Sequence, residues 1–282
     1  MKTPLRYPGG KSKVAEYLVS LFPEYKEYRE PFLGGGSVFL EATEKNPDAV
    51  YVINDMYYDL YCFWRCMILQ PNDVINGVVS LKERFDSGRE LYESVLVSIE
   101  TDRLNQISLS TAVDFFVLNR ITFSGTSLSG GYSEESFRKR FTDSSIKRLE
   151  DLGRFLETRN VALFNEDYSF IMNIDGDTDS TFAFLDPPYY SAENSKLYGH
   201  NGNLHRGFEH SRLKECLDGC KYKWMMTYDD CDYIRDLYKD YNVKELELMY
   251  GMRNTGNNPD MKGKELIISN YDLKEGNSVV LF

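Results

Sequence analysis

Short apolar runs alternate with segments of helical period at both ends of the chain. Residues 11–22 carry apolar side chains three or four positions apart, which predicts a helix, and 37–44 repeats the pattern. Residues 50–53 form an apolar run that stops at Asn54, which is typical of a buried parallel strand. The later predicted strands are 161–164, 181–185, 222–227, 243–249 and 266–270, the last two as a hairpin, and the clearest later helix is 211–220. This alternation predicts an α/β fold with a largely parallel sheet and helices on its faces.

The segment between these two regions has a helical pattern. Its predicted helices are 57–69, 72–85, 89–100, 109–122 and 144–157, and a polar stretch rich in glycine and serine interrupts them at 124–136. We therefore predict two domains. Residues 1–57 and 161–282 form the α/β domain, and residues 58–160 form a mainly helical insertion.

The composition is typical of a globular intracellular protein. Of 282 residues, 42% are apolar, which is enough for a large core. No apolar run reaches the length of about 18 residues that a membrane span needs, and the first residues lack the apolar block of a secretion signal. Five cysteines suit a reducing compartment. The net charge of −11 argues against an extended nucleic-acid-binding surface, so any such contact has to be local.

Residues 30–39, EPFLGGGSVF, predict a strand that ends in a glycine turn and continues as a helix. Such a turn lets a ligand approach the backbone and the N–H groups of the helix. Asp55 ends the next strand, 21 positions after Gly34, which suits a carboxylate that binds ribose hydroxyls. The dinucleotide fingerprint needs a glycine where Phe39 stands, so adenosine without a pyrophosphate fits better. Taken alone, the turn could equally join a strand to a helix without binding a ligand.

Residues 7–12, YPGGKS, place a lysine at a predicted helix start. A phosphate-binding loop would need a preceding strand and a glycine at position 5, which is Leu5, so a nucleoside triphosphate is not predicted. A cation at this position opposes the helix dipole. Lys11 is therefore expected either to face an anionic ligand group or to be a solvated surface lysine.

Residues 182–189, FAFLDPPY, carry the sharpest chemical signal. An apolar strand delivers Asp186 to the carboxyl edge of the sheet, where open α/β folds bind ligands. Pro187 and Pro188 restrict the backbone and remove two N–H donors, which leaves the Asp186 carboxylate and the Pro187 carbonyl as a rigid pair of acceptors. Beside the ring of Tyr189, this pair predicts a receptor for a planar amine such as the exocyclic amino group of a base.

These motifs and their order along the chain resemble the Dam-like family of DNA adenine N6-methyltransferases. The similar strings are RYPGGKSK (6–13), EPFLGGGSVFLE (30–41), INDMYYDL (53–60), LNRITFSG (118–125), DPPY (186–189) and KELIISNY (264–271). The resemblance implies a Rossmann-like methyltransferase sheet with an inserted target-recognition domain, S-adenosyl-L-methionine as methyl donor, and no metal. The catalytic motif that it implies is Asp186, Pro187, Pro188 and Tyr189. The cofactor site that it implies is Tyr7, Lys11, Glu30, Phe32, Gly34, Gly36, Asp55, Asp167, Tyr168 and Asp186.

The same resemblance implies a monomeric enzyme that flips an adenine out of duplex DNA, with GATC as the default recognition site. Between positions 120 and 148, six basic residues stand against three acidic ones, which suits either a loop laid against DNA or a solvated loop. The residues predicted to contact DNA are Arg120, Ser124, Arg138, Lys139, Arg140 and Arg253. We expect the enzyme in the cytoplasm of a prokaryotic cell or of a virus-infected host cell.

Three other functions stay open on the sequence. An RNA or protein amine methyltransferase is the nearest, because the DPPY motif would serve any planar amine. A catalytically silent DNA-binding module of the same fold is the second, and a nucleotide-dependent dehydrogenase, against which Phe39 counts, is the third. No metal site is predicted from two further groups of residues: the histidines His200, His205 and His210, and the cysteine pairs Cys62 with Cys66 and Cys216 with Cys220.

Overall fold

A seven-stranded sheet forms the centre of the computed structural model, which describes residues 1–105, 108–192, 207–249 and 262–273. The strands are β1 (Glu27–Glu30), β2 (Val50–Asn54), β3 (Asn160–Phe164), β4 (Thr181–Leu185), β5 (Lys223–Asp229), β6 (Asn242–Met249) and β7 (Lys262–Ser269), in the order β3-β2-β1-β4-β5-β7-β6. Strands β1 to β5 pair in parallel, whereas β7 runs antiparallel to both β5 and β6. The predicted Rossmann-like α/β fold and its terminal hairpin are confirmed.

The strand order creates one place where a ligand can enter the sheet edge. The chain passes from β1 to β2 on one side, and β4 returns on the other side of β1. The connections that leave the carboxyl ends of β1 and β4 therefore diverge, and such a switch point opens a crevice in parallel sheets. The glycine turn follows β1, Asp55 follows β2, and Asp186 follows β4. The topology thus brings the three sequence motifs to one edge.

Eleven α-helices lie in the described residues, and six of them connect β2 to β3. The helices are α1 (Ala15–Ser20), α2 (Ser37–Lys45), α3 (Tyr58–Leu69), α4 (Pro71–Arg84), α5 (Gly88–Asn105), α6 (Ser108–Ile121), α7 (Glu134–Arg140), α8 (Asp143–Leu156), α9 (Tyr168–Met172), α10 (His210–Asp218) and α11 (Asp232–Leu237). The predicted helices in 57–122 and 144–157 match α3 to α6 and α8 within a few residues. The prediction for 11–22 was too long, because residues 12–14 form a turn before α1.

Helix α7 lies at the end of the stretch that the sequence indicated as a polar break. The Ser133 side chain caps it by accepting from the Ser136 N–H at 3.1 Å. Acidic residues occupy its first turn and basic residues its last, which stabilises both ends of the helix dipole. This charge order is typical of a helix, but the glycine- and serine-rich composition of 124–136 predicts a loop over the same segment.

The helical segment shares a core with the sheet. The Trp64 ring of α3 meets the Phe39 ring of α2 edge-on, with the ring centroids 6.1 Å apart. On the same helix, Phe63 stacks against Phe116 of α6 at 6.0 Å. Apolar side chains from the sheet, α2, α3 and α6 accordingly belong to one buried cluster. The domain division at 57/58 and 160/161 stays a prediction.

Asp114 lies on α6 inside the helical segment, and only 3% of its surface is exposed to solvent. Burial raises the pKa of this carboxyl to about 7, the Ser98 hydroxyl lowers it and the nearby Asp102 raises it. The pKa of this carboxyl is higher in the folded chain than in the unfolded chain. Between the two pKa values, therefore, the folded chain holds a proton that the unfolded chain has lost. This contribution to stability is complete below about pH 4 and is lost as the pH rises through about 7.

Asp114→Asn is therefore expected to stabilise the protein at pH 8 by about 2 kcal/mol, because the amide resembles the protonated carboxyl and avoids a buried charge. The gain should shrink to near zero at pH 4. Thermal unfolding of the wild type and the variant across this range measures the effect. Asp86→Asn, a change at an exposed loop carboxylate, serves as the control and should show no such trend. A gain that is the same at every pH would contradict the assignment to the Asp114 charge.

Candidate active site

A cavity of about 510 Å³ opens at the carboxyl ends of β1, β2 and β4. Its walls come from the loop before α1, the glycine turn, the β2 and β3 ends, the DPPY segment and the region before α10. All the residues predicted for the catalytic motif and the cofactor site line it: Tyr7, Lys11, Glu30, Phe32, Gly34, Gly36, Asp55, Asp167, Tyr168, Asp186, Pro187, Pro188 and Tyr189. The structure thus brings these residues together, and their individual roles are proposals.

The glycine turn is fastened to the end of β2 by Asp55. One carboxylate oxygen accepts the Gly34 N–H at 2.7 Å, and the other accepts the Tyr57 N–H at 2.9 Å. Burial raises the pKa of Asp55 to about 6, and these two N–H donors lower it. Each carboxylate oxygen has two lone pairs, so both can accept a further hydrogen bond from a ligand. Asp55 therefore shapes the turn as well as lining the cavity.

Gly36 ends the turn in the left-handed region, with φ +68°, as the residue before α2. A Cβ atom there would lie 2.4 Å from the Trp64 ring. The Trp64 ring is itself fixed, because its Nε1–H donates to the Gly34 carbonyl at 3.1 Å. The turn and α3 therefore need glycine at this position.

Gly36→Ala is expected to lower the free energy of unfolding by about 3 kcal/mol, since overpacking and a positive φ each contribute about 1 to 2 kcal/mol. Urea unfolding followed by tryptophan fluorescence measures the loss. Gly219→Ala is the matched control, because φ is −80° there and a Cβ would make only ordinary contacts at 3.7 Å or more. Equal stability of the two variants would contradict the packing argument.

Lys11 is buried at the floor of the cavity, 6% exposed, and is not a solvated surface lysine. Its ammonium lies 2.9 Å from Asp186 Oδ1 and donates to the Tyr189 hydroxyl at 2.8 Å and to the Gly9 carbonyl at 3.3 Å. The N-terminal loop and the DPPY motif are therefore joined by a buried cation. One anionic group that contacts Lys11 in the structure is the Asp186 carboxylate of the chain itself, and the anionic ligand group stays a prediction.

The DPPY segment is held from β5. Asp186 Oδ1 also accepts the Thr227 hydroxyl at 2.7 Å. Farther along, the Asp229 carboxylate accepts the N–H groups of Tyr190 and Ser191 at 2.9 and 2.8 Å. With one Asp186 oxygen engaged by two donors of the chain, the other oxygen is the one available to a ligand. A carboxylate and a proline carbonyl fixed in this way can accept two N–H groups of one amine.

Two more carboxylates lie buried at this edge. Glu30 receives a hydrogen bond from the Tyr28 hydroxyl at 2.6 Å, and burial raises its pKa well above the ordinary value. Glu265, on β7, has an oxygen 3.6 Å from the Lys11 ammonium. Glu265 belongs to the string KELIISNY but was not predicted from the sequence as a site residue. The signal was an acidic residue in an apolar strand, where a charge is costly without a partner.

The opposite wall of the cavity is aromatic. The Phe32 ring lies 5.4 Å from Tyr168 and 5.8 Å from Phe208, measured between ring centroids. Asp167 caps α9 and forms a two-pronged ion pair with Arg212 of α10, at 2.9 and 3.1 Å. Arg212 and Phe208 are further lining residues that the sequence argument did not identify. An apolar pocket with one acidic edge can hold a flat heterocycle with an amino group.

Arg120, predicted to contact DNA, is buried in the structure. Arg120 is 4% exposed, with its guanidinium over the Phe116 ring and donating to the Pro4 carbonyl. Burial, and then the neighbouring arginines, lower its pKa to about 9. Next to it, Asn119 accepts the Arg6 N–H and donates to the Arg6 carbonyl. This pair ties α6 to the N-terminal loop, so Arg120 has a structural role here, and its contact with DNA stays a prediction.

The other residues predicted to contact DNA differ in exposure. Arg138, Lys139 and Arg140 are exposed on α7, and the first two pair with Glu134 and Glu135 of the same helix. Ser124, with φ 55°, is half-buried in the turn after α6. Arg253 lies outside the described residues.

The residues weighed for a metal site are spread over the chain. His210 is buried against the Tyr228 hydroxyl, whereas His200 and His205 lie outside the described residues. Within the described part of the chain, no three His, Cys, Asp or Glu side chains are arranged to hold a metal ion. No helix among those same residues is long and apolar enough to cross a membrane.

Comparisons with known proteins agree with this arrangement of motifs. The family model of the D12 class of N6 adenine-specific DNA methyltransferases matches residues 7–252. The type II methyltransferase M1.LlaDCHI of Lactococcus lactis subsp. cremoris is 25% identical, and the match covers 94% of each chain. The type II methyltransferase M.CviBI of Paramecium bursaria Chlorella virus NC1A is 24% identical, with 96% of this chain and 100% of the relative covered. Because the family model matches residues 7–252, which include the glycine turn, Asp55 and the DPPY motif, the chain belongs to the D12 class of N6 adenine-specific DNA methyltransferases.

Proposed function

We propose that the protein transfers a methyl group from S-adenosyl-L-methionine to N6 of an adenine that is flipped out of a short duplex DNA site. The observation that carries the proposal is the pair of acceptors at Asp186 and Pro187, which faces the cavity beside the glycine turn. A base inside a duplex cannot reach such a recessed pair, so the adenine has to leave the stack. This proposal includes the roles of the individual site residues.

The cavity fits the methyl donor in size and in chemistry. Its volume of about 510 Å³ is in the range for a ligand of this size. Asp55 would hold the ribose hydroxyls, and Gly34 would pack beside the cofactor. Phe32 and Tyr168 would pack on the adenine ring, and Asp167 would face its amino group. Toward the other end, Tyr7, Lys11, Glu30 and Gly36 would surround the methionine portion. S-adenosyl-L-methionine supplies an electrophilic methyl group on a positively charged sulfur.

The residues of the chain make the target amine a better nucleophile. In free adenine the N6 lone pair is delocalised into the ring. Hydrogen bonds from its two N–H groups to the Asp186 carboxylate and the Pro187 carbonyl favour a pyramidal nitrogen with an available lone pair. Tyr189, which stacks on Tyr228 with centroids 5.9 Å apart, would hold the flipped ring together with Pro188. Position and fixed charges supply most of the acceleration.

DNA contact is proposed for the exposed face of α7 with Arg138, Lys139 and Arg140, for Ser124 and for Arg253. Because the protein carries a net charge of −11, we expect weak non-specific binding that falls steeply with salt. GATC is the recognition site that we test first. The enzyme is proposed to act as a monomer in the cytoplasm of a prokaryotic or virus-infected cell.

A binding and flipping experiment tests the finer parts of this proposal. Duplexes with 2-aminopurine in place of the target adenine of GATC are titrated with enzyme and cofactor, and the fluorescence is compared with that of duplexes with the analogue at a flanking position. An increase only at the target position supports base flipping at GATC. An increase at another motif would reject GATC but support flipping. Binding and methylation without any fluorescence change would reject the flipped base.

A further inference from the structure

Transfer of a methyl group to an amine produces a proton that the closed site has to accept. The new N–CH3 bond uses the N6 lone pair, the S–CH3 bond breaks, and N6 becomes a cation with two hydrogens. One of these leaves as a proton, because the product is a neutral amine. The hydrogen that faces Asp186 can pass to that carboxylate, but Asp186 must then be restored before the next cycle.

Glu265 lies next to this path on the far side of Lys11. Its side chain is 7% exposed, and its Oε2 lies 3.6 Å from the Lys11 ammonium. That oxygen is buried and has no hydrogen-bond partner within 3.5 Å among the described residues, and the polar groups that face the Glu265 side chain are the Lys11 ammonium and the Tyr189 hydroxyl. Lys11 in turn lies 2.9 Å from Asp186. The Lys11 ammonium thus lies between the buried Glu265 carboxylate and the Asp186 carboxylate that contacts the amine in the proposed function.

We propose that Glu265 acts through Lys11 as the acceptor of the proton that methyl transfer releases. Lys11 donates a proton to Glu265 and regains one from Asp186, so that the net movement is from N6 to Glu265 and both Lys11 and Asp186 end as they began. Glu265 does not contact the adenine, and its effect depends on the position of Lys11. The inference rests on the proposed function of the site.

The surroundings of Glu265 favour this role. Burial raises its pKa, and Asp186 raises it further, while Lys11 and the Tyr189 hydroxyl lower it. On β5, Asp229 is its register partner and is engaged by two backbone N–H groups. On β6, the register partner is the apolar Leu246. A carboxylate with a raised pKa is a suitable proton acceptor near neutral pH.

Glu265→Gln tests the proposal, because the amide preserves the shape of the side chain but cannot accept the proton. Steady-state methyl transfer over many turnovers and single-turnover transfer to duplex DNA are both measured from pH 5 to 9, with cofactor affinity by calorimetry. The expected steady-state rate is about 10²-fold lower than for the wild type, and the acidic limb of the wild-type steady-state profile, where the rate falls as Glu265 becomes protonated, should be lost. The single-turnover rate should stay within about threefold, because Asp186 can accept the first proton. Cofactor affinity should stay within about threefold, since the lost step follows binding.

Two further variants separate proton transfer from structure. Glu245→Gln makes the same change on β6 at an exposed residue that pairs with Arg235, and it should retain the wild-type rate and profile. Glu265→Ala should regain part of the rate on addition of formate, which can enter the space left by the side chain. A wild-type steady-state rate and profile in Glu265→Gln would overturn the inference while leaving methyl transfer established. An inactive wild type would instead reject the proposed function.

Discussion

Replacement of Asp186 by Ala is expected to lower the rate of methyl transfer by at least about 10³-fold while the protein stays folded. In the proposed reaction the carboxylate would face the target amine with its other oxygen, since Oδ1 is engaged by Lys11 and the Thr227 hydroxyl. Without it, the amine loses the acceptor that localises its lone pair and the negative charge that stabilises its developing positive charge. The measurement is single-turnover transfer of labelled methyl groups to duplex DNA.

Asp186→Asn makes the same test without a change in shape. Lys11 and Thr227 both donate to Oδ1, so the amide oxygen should occupy that place and the NH2 group should face the substrate. Two donors then oppose each other, and we expect a loss as large as in the alanine variant. Asp179→Asn, an exposed loop residue before β4, is the control. A rate within tenfold of the wild type in both Asp186 variants would remove the chemistry from this motif.

Lys11→Met is expected to affect both activity and stability. The ammonium is the buried cation between Asp186 and Glu265, and removal of one partner of a buried ion pair costs about 3 to 5 kcal/mol. The rate should fall by about 10²-fold or more, because Asp186 and Tyr189 lose the group that positions them. Unfolding midpoints and single-turnover rates measure the two effects.

Lys13→Met is the matched control for this variant, because Lys13 is exposed only two positions away. It should change neither the unfolding midpoint nor the rate. Normal stability combined with normal activity in Lys11→Met would contradict the position of Lys11 at the centre of the site. Normal stability with low activity would limit its role to catalysis.

The sequence predicted the sheet edge well, because the chemistry there is local in the chain. The glycine turn, Asp55 and DPPY each follow a strand, and parallel strands bring their carboxyl ends together whatever the connections between them. The helices from α3 to α6 were also predicted, since apolar residues recur at helical spacing over long segments of the sequence there. These features need no knowledge of distant contacts.

The contacts that the sequence did not predict join distant parts of the chain. Arg120 looked like a surface cation, but the N-terminal loop supplies the Pro4 carbonyl that buries it, 116 positions away. Glu265 reaches Lys11 across the sheet, and nothing in either string indicates the other. Arg212 meets Asp167 for the same reason. Charge and burial at such positions depend on packing between segments.

The most direct test of the central claim is the chemical identity and position of the transferred methyl group. Unmethylated duplex DNA is incubated with the wild-type enzyme and labelled S-adenosyl-L-methionine, digested to nucleosides for mass spectrometry, and mapped by single-molecule sequencing. We predict N6-methyladenine confined to one short motif, and none from Asp186→Ala. Label on another base, or on RNA or protein in place of DNA, would contradict the assignment.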